Sequence, residues 1–524
     1  MTQAAIARRT TAMPALRRDP LTLLRNAAVW AAAAKWFDVI VSMATFLFMA
    51  RLLGPEAWGL YGMVLLVTIL PETIVGGALA ESLIQRRDLR HGHVAAARVL
   101  HMGLALMLVA VIVGLAPVFA QAFGHVELQA LIPALSATLL VMALGAPSAA
   151  LLQRGLRFRA IAAVDAAGAV SAAIAGISMG LAGQGVWAIV WMEIARRSTR
   201  AIGFILAARA GSSLRFSRAE FSDLMRFNLA SLAAQLLLQF DLAVPRIAVG
   251  AFLGAHALGY FNFALRILQQ GSSLVVAPFN AIALPLISSV REDRDRLHQV
   301  IRQSGRAAAI AGFPIFLGAA AVAPVAIPLL LGVQWAPAVI PMQLVLLLGV
   351  RAAATSFTGG ILRGCGHPGL YLLHVSLGVL VTCVLIPLSA PFGLIAVATA
   401  MLAKGMVTWI AGACLVERVS GYSAWNQVAI GWRSLLAACL MAGGVLAATP
   451  VLAASFAGLL LLAALIAAGV VLHVIALATL DPALARRLGR AFFARIGRRR
   501  SSRIAASPAL HGPQFEAPVQ RAEN

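Results

Sequence analysis

The sequence contains few charged residues and almost no lysine. Aspartate, glutamate, lysine and arginine together make up 12% of the 524 residues, about half the share of a typical soluble domain. Lys35 and Lys404 are the only lysines, so 40 of the 42 lysine-plus-arginine residues are arginine. Because so few polar side chains cannot cover a water-soluble globule of this length, the composition excludes a soluble protein.

Cysteine and histidine patterns typical of metal or redox sites are also absent from the sequence. The 4 cysteines are isolated, and no two of them form a CxxC pair. His91 and His93 are the only close pair among the 10 histidines, with no cysteine or acidic cluster beside them. The sequence also contains no glycine-rich phosphate loop and no nucleophile–base arrangement. We therefore expect no metal, no cofactor and no enzymatic activity.

The most abundant feature of the sequence is apolar runs. Hydrophobic residues make up 61% of the chain, and the mean hydropathy is +0.89. Runs of about 20 apolar residues are long enough to cross a bilayer as helices. We predict an all-α, polytopic membrane protein with about 14 transmembrane helices. The predicted spans are 27–50, 57–80, 97–119, 128–151, 160–182, 185–208, 229–253, 257–288, 307–331, 336–361, 368–389, 392–416, 431–449 and 453–478.

The positive charge, formally +23, is concentrated on one side of this predicted topology. Arg51 is the only basic residue that we assign to a loop on the opposite side. This asymmetry is typical of membrane topology rather than nucleic-acid binding, and the positive-inside rule predicts that both termini are cytoplasmic. The arginines on the side of the N-terminus are Arg8, Arg9, Arg17, Arg18, Arg25, Arg86, Arg87, Arg90, Arg154, Arg157, Arg159, Arg209, Arg215, Arg218, Arg291, Arg294, Arg296, Arg363, Arg418 and Arg433.

The sequence also contains an internal repeat. At a shift of 200 residues, segment 51–61 (RLLGPEAWGLY) aligns with segment 251–261 (AFLGAHALGYF), including both glycines of the motif. Because three motifs recur in the same order, we predict that the chain arose by duplication. The two further matches are Arg154-Gly155 with Arg363-Gly364, and Gly185-x-x-Ala188 with Gly393-x-x-Ala396.

The repeat predicts two pseudo-symmetric bundles of six helices each. With six helices per half, the two bundles have the same orientation and are related by an axis along the membrane normal, with a substrate site between them. Two further helices follow the repeat. The predicted division is a cytoplasmic tail at 1–26, the first bundle at 27–208, a cytoplasmic loop at 209–228, the second bundle at 229–416, helices 13 and 14 at 417–480, and a basic, partly disordered cytoplasmic tail at 481–524.

Three segments resemble a known transporter family. RLLGPEAWGLY, LLQRGLRFRAIA and GQGVWAIV are similar to segments of the Wzx-type polysaccharide flippases, which form the polysaccharide-transporter branch of the multidrug/oligosaccharidyl-lipid/polysaccharide (MOP) exporter superfamily. The resemblance covers about 27–450 and implies a MATE-like fold in a bacterial inner membrane. It also implies a flippase that moves undecaprenyl-diphosphate-linked oligosaccharide for O-antigen, capsule or exopolysaccharide synthesis. The implied partners are this lipid-linked sugar, membrane lipid and polysaccharide polymerase or chain-length proteins, without nucleic acid.

Several basic residues lie within predicted spans. An ionised group at the bilayer centre costs about 2.5–3.5 kcal/mol on insertion scales, so such groups usually face a cavity or a partner. Arginine suits phosphate oxygens because its guanidinium offers a planar fork of donors. We therefore predict a cationic central cavity that binds the anionic part of the substrate. Its candidate residues are Lys35, Arg246, Arg266 and Arg351.

Some of these cations have an alternative interpretation within the protein. Lys35 and Asp38 are three residues apart on one helix face and could neutralise each other. Arg266 could extend to the membrane surface or pair with Asp241, and Lys404 is expected to extend to the surface from the inner end of its helix.

Acidic residues in the spans are candidates for ion coupling. They are Glu72, Asp38 and Asp241. Glu72 follows Pro71, whose ring interrupts the helix and leaves backbone carbonyls available near the carboxylate.

Amide side chains in the spans could bind sugar hydroxyls, although hydrogen bonds between helices are the alternative for most of them. The candidates are Gln235, Gln239, Asn262, Gln269, Gln270, Asn280 and Gln343.

Other functions remain open at the level of the sequence. A multidrug exporter of the same superfamily would favour acidic cavity walls for cationic drugs, whereas the mid-span arginines here favour an anionic cargo. A peptidoglycan-precursor flippase would carry a chemically similar cargo. A membrane enzyme usually needs a clustered polar site or a large extramembrane loop, and a membrane scaffold would not need buried arginines.

Overall fold

A computed structural model of the chain describes residues 20–78, 91–208 and 218–482, together with Leu83 and Arg486. For 20–35, 77–78, 91–92 and 218–234 it describes the backbone only. The N-terminal tail to residue 19, most of the predicted inter-bundle loop and the basic tail beyond 482 lie outside the described residues, apart from Arg486.

All regular structure in the described residues is helical, which confirms the all-α class. Three short helices of other types are the π-helix Ile74–Ala78 and the 3-10 helices Val333–Ala338 and Ala390–Phe392. The first half contains α1 (Pro20–Thr73), α2 (His91–Phe123), α3 (Leu128–Ser136), α4 (Thr138–Arg154), α5 (Phe158–Leu181) and α6 (Val186–Ala208). The second half contains α7 (Arg218–Val275), α8 (Ala277–Val290), α9 (Arg294–Leu331), α10 (Val339–Ala354), α11 (Thr358–Gly364), α12 (Pro368–Ser389) and α13 (Leu394–Ser420). The chain then continues through α14 (Ala424–Ala429), α15 (Trp432–Ser455) and α16 (Gly458–Leu480).

The number of spanning segments is compatible with the predicted fourteen. Among the described residues, 11 helical segments are long and apolar enough to cross a membrane. Two of these, Trp36–Gly76 and Gln235–Val275, are 41 residues long, and each contains a glycine with non-helical backbone angles. The charged helix α6 is not among the 11 segments, although its 23 residues also have the length of a span.

The two long helices are hairpins that fold back at matching glycines. Gly54 has φ 76° and ψ 175°, and Gly254 has φ 78° and ψ −173°, a region of backbone space open essentially only to glycine. Arg246 and Asn262, eight residues before and after Gly254, are hydrogen-bonded to each other. This contact requires the chain to reverse at the glycine. We refer to the segments before and after each glycine as the first and second arms of α1 and α7.

Both copies of the repeated motif pack against each other. A Cβ atom added to Gly59 would lie 1.8 Å from the carbonyl oxygen of Ala255, and one added to Gly259 would lie 2.0 Å from that of Pro55. The two contacts are equivalent under the 200-residue repeat. The motif glycines therefore allow the second arms of the two hairpins to meet backbone to backbone, at what we call the kink end of the molecule.

The kink end is closed by further contacts between the halves. The buried Trp335 indole donates to the carbonyl of Ala50 at 3.1 Å, and Gln334 donates to the carbonyl of Arg51 at 3.2 Å. The Arg51 guanidinium in turn donates to the carbonyl of Leu329 at 3.0 Å. The opposite end, where α8 meets α9, is called the basic end because Arg291 and Arg294 lie there.

The turn after the fourth helix also repeats, in a register that differs by one residue from the sequence alignment. The amides of Gly155, Leu156 and Arg157 make the same three backbone hydrogen bonds as the equivalent amides 210 residues later. Leu156 has φ 53° and Gly366 has φ 86°, so a left-handed residue occupies the same place in both turns. Arg363 therefore corresponds in backbone conformation to Gln153, and the predicted match of Arg363 with Arg154 is wrong by one residue. The two arginines are the same residue type but occupy neighbouring positions of the turn.

Several helices begin earlier than the apolar spans suggested. α9 begins at Arg294 rather than near 307, because the Asp293 side chain accepts a hydrogen bond from the Arg296 amide at 3.0 Å and caps the helix. α7 begins at Arg218, within the predicted loop 209–228. Polar first turns carry no hydrophobic signal, so a search for apolar runs misses them.

Candidate functional site

A cavity of about 480 Å³ lies between the two helical hairpins. Its walls come from the second arm of α1 and both arms of α7, with Phe46 from the first arm of α1. Two of the four predicted cavity cations, Arg246 and Arg266, line it. The lining residues are Phe46, Trp58, Tyr61, Leu65, Leu66, Ile69, Gln239, Leu242, Ala243, Arg246, Gly259, Asn262, Phe263, Arg266, Gln269, Gln270 and Ser273.

Arg246 is held by one hydrogen bond across its own hairpin and by one within its own arm. Its Nε donates to Oδ1 of Asn262 at 3.1 Å, and its Nη1 donates to the carbonyl of Leu242 at 2.8 Å. Pro245 directly precedes it in the first arm of α7. Neither partner carries a negative charge, so the full positive charge of Arg246 remains in the cavity wall.

Arg266 is held by aromatic rings rather than by an acid. Its Cζ atom lies 4.3 Å from the ring centroid of Phe46 and 5.9 Å from that of Trp58, within the range of a cation–π interaction. The two rings meet edge to face at 4.6 Å. The predicted alternative, a pair with Asp241, is wrong because Lys404 occupies that carboxylate.

Other polar groups of the cavity wall also offer hydrogen-bond donors. The indole Nε1 of Trp58 and the amide Nδ2 of Asn262 are buried without a hydrogen-bond partner among the described residues. Gln239 donates to the Thr73 hydroxyl at 3.0 Å and so links the two hairpins. No carboxylate is among the described residues that line the cavity. Two guanidinium groups and several free donors therefore suit a ligand that is anionic and rich in oxygen.

The other two predicted cations do not contribute to this lining in the described structure. Arg351 packs inside the second bundle, where its Cδ atom lies 3.2 Å from the position that a Cβ on Gly405 would take. Its Nε is buried without a hydrogen-bond partner in the part of the chain that the structure describes. The side chain of Lys35 lies outside the described residues, so its predicted pairing with Asp38 stays a prediction.

Asp241 forms a tight ion pair within the second bundle. Nζ of Lys404 lies 2.7 Å from Oδ1 and 2.6 Å from Oδ2 of this carboxylate, and the Thr382 hydroxyl donates to Oδ1 at 2.6 Å. The expectation that Lys404 extends to the membrane surface is therefore wrong, because the partly buried Asp241 carboxylate on α7 binds its ammonium group. The same ammonium neutralises the charge that made Asp241 a candidate for ion coupling.

Glu72 and Asp38 meet arginines of α6 that the sequence reading did not single out. Arg197 lies 2.8 Å from Glu72 and 3.5 Å from Glu193, and Arg196 lies 3.7 Å from Asp38. Glu72, Glu193, Arg196 and Arg197 line a second cavity of about 350 Å³ inside the first bundle. The signal in the sequence was the presence of three arginines within five residues of a predicted span.

Each half contains an ion pair between the first arm of its hairpin and a later helix. Asp38 of α1 meets Arg196 of α6, and Asp241 of α7 meets Lys404 of α13. Lys404 follows Arg196 by 208 residues, the shift that also relates Gly185 to Gly393. Both of these glycines have positive φ and directly precede their helices. The two acids are 203 residues apart, against 200 for the hairpin glycines, so the base keeps its position in the repeat whereas the acid lies three residues later in the second half.

The predicted amide residues separate into two groups. Gln239, Asn262, Gln269 and Gln270 line the central cavity. Outside it, Gln343 donates to the carbonyl of Ala320 at 2.9 Å, as a bond between helices. Asn280 on α8 is exposed, and Gln235 is not among the lining residues.

Comparison with known sequences identifies the family. Residues 48–340, more than half of the chain, match the family described as polysaccharide biosynthesis protein. The lipopolysaccharide biosynthesis protein WzxC of Escherichia coli K12 is 22% identical over 316 residues, which cover 59% of this chain and 63% of WzxC. The succinoglycan biosynthesis transport protein ExoT of Rhizobium meliloti is 24% identical over 315 residues, which cover 60% of this chain and 64% of ExoT. The matched region thus spans less than two thirds of either relative.

Solved structures share the fold over most of the chain. The lipid II flippase MurJ in an inward closed conformation superposes with a TM-score of 0.69 at 13% sequence identity, covering 87% of this chain and 99% of MurJ. An inward-facing multidrug resistance MATE transporter of the MOP superfamily superposes with a TM-score of 0.59 at 16% identity, covering 76% of this chain and 99% of the transporter. The family match leads to one conclusion: the chain belongs to the polysaccharide biosynthesis protein family, and its many apolar helices form a fold that it shares with these two membrane proteins.

Proposed function

We propose that this protein moves a polyprenyl-diphosphate-linked oligosaccharide across the bacterial inner membrane for O-antigen, capsule or exopolysaccharide synthesis. One observation carries the proposal: the cavity between the hairpins contains Arg246 and Arg266, and no carboxylate is among its described lining residues. A diphosphate carries about two negative charges at neutral pH and needs cationic donors to enter a low-dielectric region.

The remaining cavity wall suits the sugar part of such a substrate. The amide groups of the lining glutamines can bind hydroxyl groups, while the faces of aromatic rings can pack against the apolar faces of sugar rings. The polyprenyl chain has no need of a polar cavity and remains in the lipid.

The contacts at the kink end support an alternating-access mechanism. The halves meet there backbone to backbone, at Gly59 with Ala255 and at Gly259 with Pro55. We infer that this end faces the periplasm and is closed in the present state, with the cavity reached from the basic, cytoplasmic end. Transport requires the two glycine contacts to separate while contacts at the basic end form.

The alternative cargoes differ in the charge that they require. A multidrug exporter for cationic drugs is disfavoured, because two guanidinium groups in the cavity repel a cation. A peptidoglycan precursor would be bound by the same groups, since it too is a lipid-linked diphosphate. That cargo is therefore tested directly in the experiment below.

The experiment measures which leaflet contains the lipid-linked oligosaccharide in spheroplasts, with and without depletion of the protein. An impermeant lectin or glycosidase reports the sugar that has reached the outer face. We expect depletion to lower outer exposure while the total lipid-linked sugar rises. Unchanged exposure of the oligosaccharide would exclude this cargo, and a simultaneous loss of outward lipid II would assign the protein to precursor transport instead.

We further infer that Glu72 takes up the coupling ion. Glu72 and Glu193 share Arg197 as their cation, so this group of three holds one more negative than positive charge. A proton or Na⁺ that neutralises the excess charge would change how strongly the second arm of α1 is held to α6.

Replacing Glu72 with glutamine tests this inference. The amide keeps the shape of the side chain but cannot take up a proton, so we expect transport by Glu72→Gln to become insensitive to collapse of the ion gradient. Asp165→Asn is the matched control, because this carboxylate has Arg200 at 2.9 Å and does not share that arginine with Glu72. A Glu72→Gln protein whose transport still falls with the gradient would contradict the assignment.

A further inference from the structure

A third cavity, also cationic, lies at the basic end of the second half, and its described lining includes no residue of the two hairpins. It has a volume of about 430 Å³ and is formed by Arg302 and Arg306 of α9, by residues between Tyr422 and Ser434 around α14 and the start of α15, and by Asp481, which follows α16. We call it the surface cleft. Its charged lining residues are Arg302, Arg306, Arg433 and Asp481.

The surface cleft carries an excess of positive charge. Asp481 is 3% exposed and forms an ion pair with Arg306. Arg302 has no ion pair among the described residues, and Arg433 lies over the ring of Trp432 at 5.5 Å rather than against an acid. Within the described part of the chain, two guanidinium charges of the cleft therefore lack a carboxylate partner.

The start of α15 adds donors that face the same space. Gly431 at the N-cap has φ 82° and gives no side-chain cap, so the first backbone amides of the helix need an outside acceptor. Trp432, Arg433 and Ser434, the first three residues of the helix, all line the cleft. Ser434 is 3% exposed, and its hydroxyl makes no hydrogen bond with the described residues. The unbonded hydroxyl of a buried serine and a helix N-terminus, beside two arginines without a carboxylate partner among the described residues, together form a site for an anion.

The position of the surface cleft indicates where this anion comes from. Arg306 directly precedes the apolar part of α9, Trp432 begins α15, and Asp481 directly follows α16. Three chain segments thus pass between polar and apolar surroundings at one level. Trp425 and Trp432 are 78% and 55% exposed beside it, as is typical of tryptophans among lipid head groups.

We propose that the surface cleft binds the phosphate group of an anionic phospholipid and so clamps α15 to α9 of the second bundle. Arg302 and Arg306 come from α9, whereas Arg433 and Ser434 come from α15, so one phosphate bridges both elements. The role is one of lipid-dependent stability and is independent of the cargo of the central cavity.

The test is thermal unfolding of the purified full-length protein in neutral detergent, followed by tryptophan fluorescence. Phosphatidylglycerol, phosphatidylcholine or inorganic phosphate is added at increasing concentration. We expect phosphatidylglycerol to raise the unfolding midpoint by several degrees and phosphatidylcholine to leave it unchanged. Equal responses to the two lipids would overturn the proposal. A saturable response to inorganic phosphate as large as that to phosphatidylglycerol would support the phosphate site but overturn a lipid as its source.

Variants of the basic residues test whether phosphatidylglycerol stabilises the protein by binding in the surface cleft. In Arg302→Gln/Arg433→Gln, the phosphatidylglycerol concentration at half response should rise at least about tenfold, since each basic residue contributes about 1 kcal/mol of attraction to an anionic lipid. The matched control Arg291→Gln/Arg363→Gln removes the same charge from exposed positions at the same end and should respond like the wild type. A double variant in the cleft that also responds like the wild type would place the lipid elsewhere.

Ser434→Ala provides a variant that is expected to fold normally. Alanine suits the first turn of a helix, so the midpoint without lipid should stay at the wild-type value. The phosphatidylglycerol requirement should rise roughly threefold to tenfold through loss of one hydrogen bond. An unchanged requirement would show that the buried hydroxyl does not contact the ligand and would overturn the site as drawn.

Discussion

Arg246 and Arg266 bring the same charge to the central cavity in different surroundings. Arg246 is fixed by a side-chain amide and a backbone carbonyl, whereas Arg266 lies against the rings of Phe46 and Trp58. Both arrangements use the planar guanidinium, which lysine cannot reproduce. Neither neutralises the charge, so both arginines remain available to an anionic ligand.

The first prediction concerns Arg246. Replacing it with glutamine removes one cationic donor while keeping a polar side chain of similar length. We expect the rate of lipid-linked sugar transfer to fall on the order of tenfold or more, since a hydrogen bond to a charged group contributes about 1.5–3 kcal/mol. Lectin accessibility in spheroplasts measures the rate, normalised to the amount of protein in the membrane. The exposed Arg291→Gln serves as the control, and equal rates for both variants would contradict a role of Arg246 in the cavity.

The second prediction concerns the ion pair in the second bundle. Lys404→Met leaves the partly buried Asp241 carboxylate without its cation, which typically costs about 3–5 kcal/mol for a buried pair. We expect a marked fall in the unfolding temperature of Lys404→Met in detergent. Adding Asp241→Asn should recover most of the loss, because the pair is then removed as a whole. A Lys404→Met protein as stable as the wild type would show that the pair is solvated.

The sequence showed which charged residues lie within the spans, but it did not show which partners they contact. The scarcity of mid-span charges made each of them notable, and Arg246, Arg266, Glu72 and Asp241 were all singled out. Partner choice depends on which helix faces lie side by side across the bundle. The pairing of Arg197 with Glu72 and the pairing of Lys404 with Asp241 are therefore seen only in the tertiary structure.

At the scale of elements, the repeated motif is a packing device. Its first glycine in each copy, Gly54 or Gly254, turns the hairpin, and its second, Gly59 or Gly259, lets the hairpins touch. A motif with these two functions needs no reactive side chain, consistent with Pro55 and Glu56 being replaced by Ala255 and His256 in the second copy.

The third prediction follows from this contact. Gly59→Ala places a methyl group where the Ala255 carbonyl lies, and a backbone atom cannot rotate away as a side chain can. We expect the kink end to be forced apart. Spin labels at Glu56→Cys and His256→Cys, whose native side chains lie 3.8 Å apart and are exposed, should report a longer distance.

Gly103→Ala is the matched control for this measurement. A Cβ on Gly103 would meet nothing within 4 Å, so the label distance should equal that of the parent protein. If Gly59→Ala also keeps the parent distance, the two hairpins are not held at contact distance by these glycines.

At the scale of the whole molecule, the charges inside the bundles differ from those in the cavity between them. Charges inside each bundle are largely paired, as Asp241 is with Lys404 and Asp165 with Arg200. The cavity between the bundles instead keeps arginines without acids among its described lining residues. Such a distribution supports rigid bundles that move against each other around a cationic centre.

The fourth prediction tests the orientation of the molecule. In a protein without native cysteines, Val126→Cys in the loop between α2 and α3 should react with an impermeant maleimide from outside the cell. Glu292→Cys, beside α9, should react only after permeabilisation. Both native side chains are exposed, and the two loops lie at opposite ends of the helices. The reverse pattern would contradict the positive-inside prediction.

The native Cys365 illustrates why this background is needed. It lies at the basic end between α11 and α12, and burial raises the pKa of its thiol. The thiolate fraction at neutral pH is therefore lower than for an exposed cysteine, and labelling should accelerate as the pH rises. A slow signal from this residue could otherwise be mistaken for slow access to the engineered site.

The sequence by itself determined that lipid surrounds most of the chain, that the fold is all-α and that the chain contains two copies of one unit. A chain with 12% charged residues and long apolar runs must place its helices in lipid, and glycines at a fixed shift mark two copies of one unit. These properties are local, because composition and spacing alone encode them.

Only the tertiary structure decided which charges remain available to a ligand. Lys404 and Asp241 are 163 residues apart in the chain and neutralise each other, while Arg246 and Arg266 meet in one cavity whose described lining contains no acid. The physical reason is that electrostatic energy in a low-dielectric interior depends on distances of a few ångströms between helices. Those distances are set by how the hairpins and bundles pack, which no single segment of the sequence specifies.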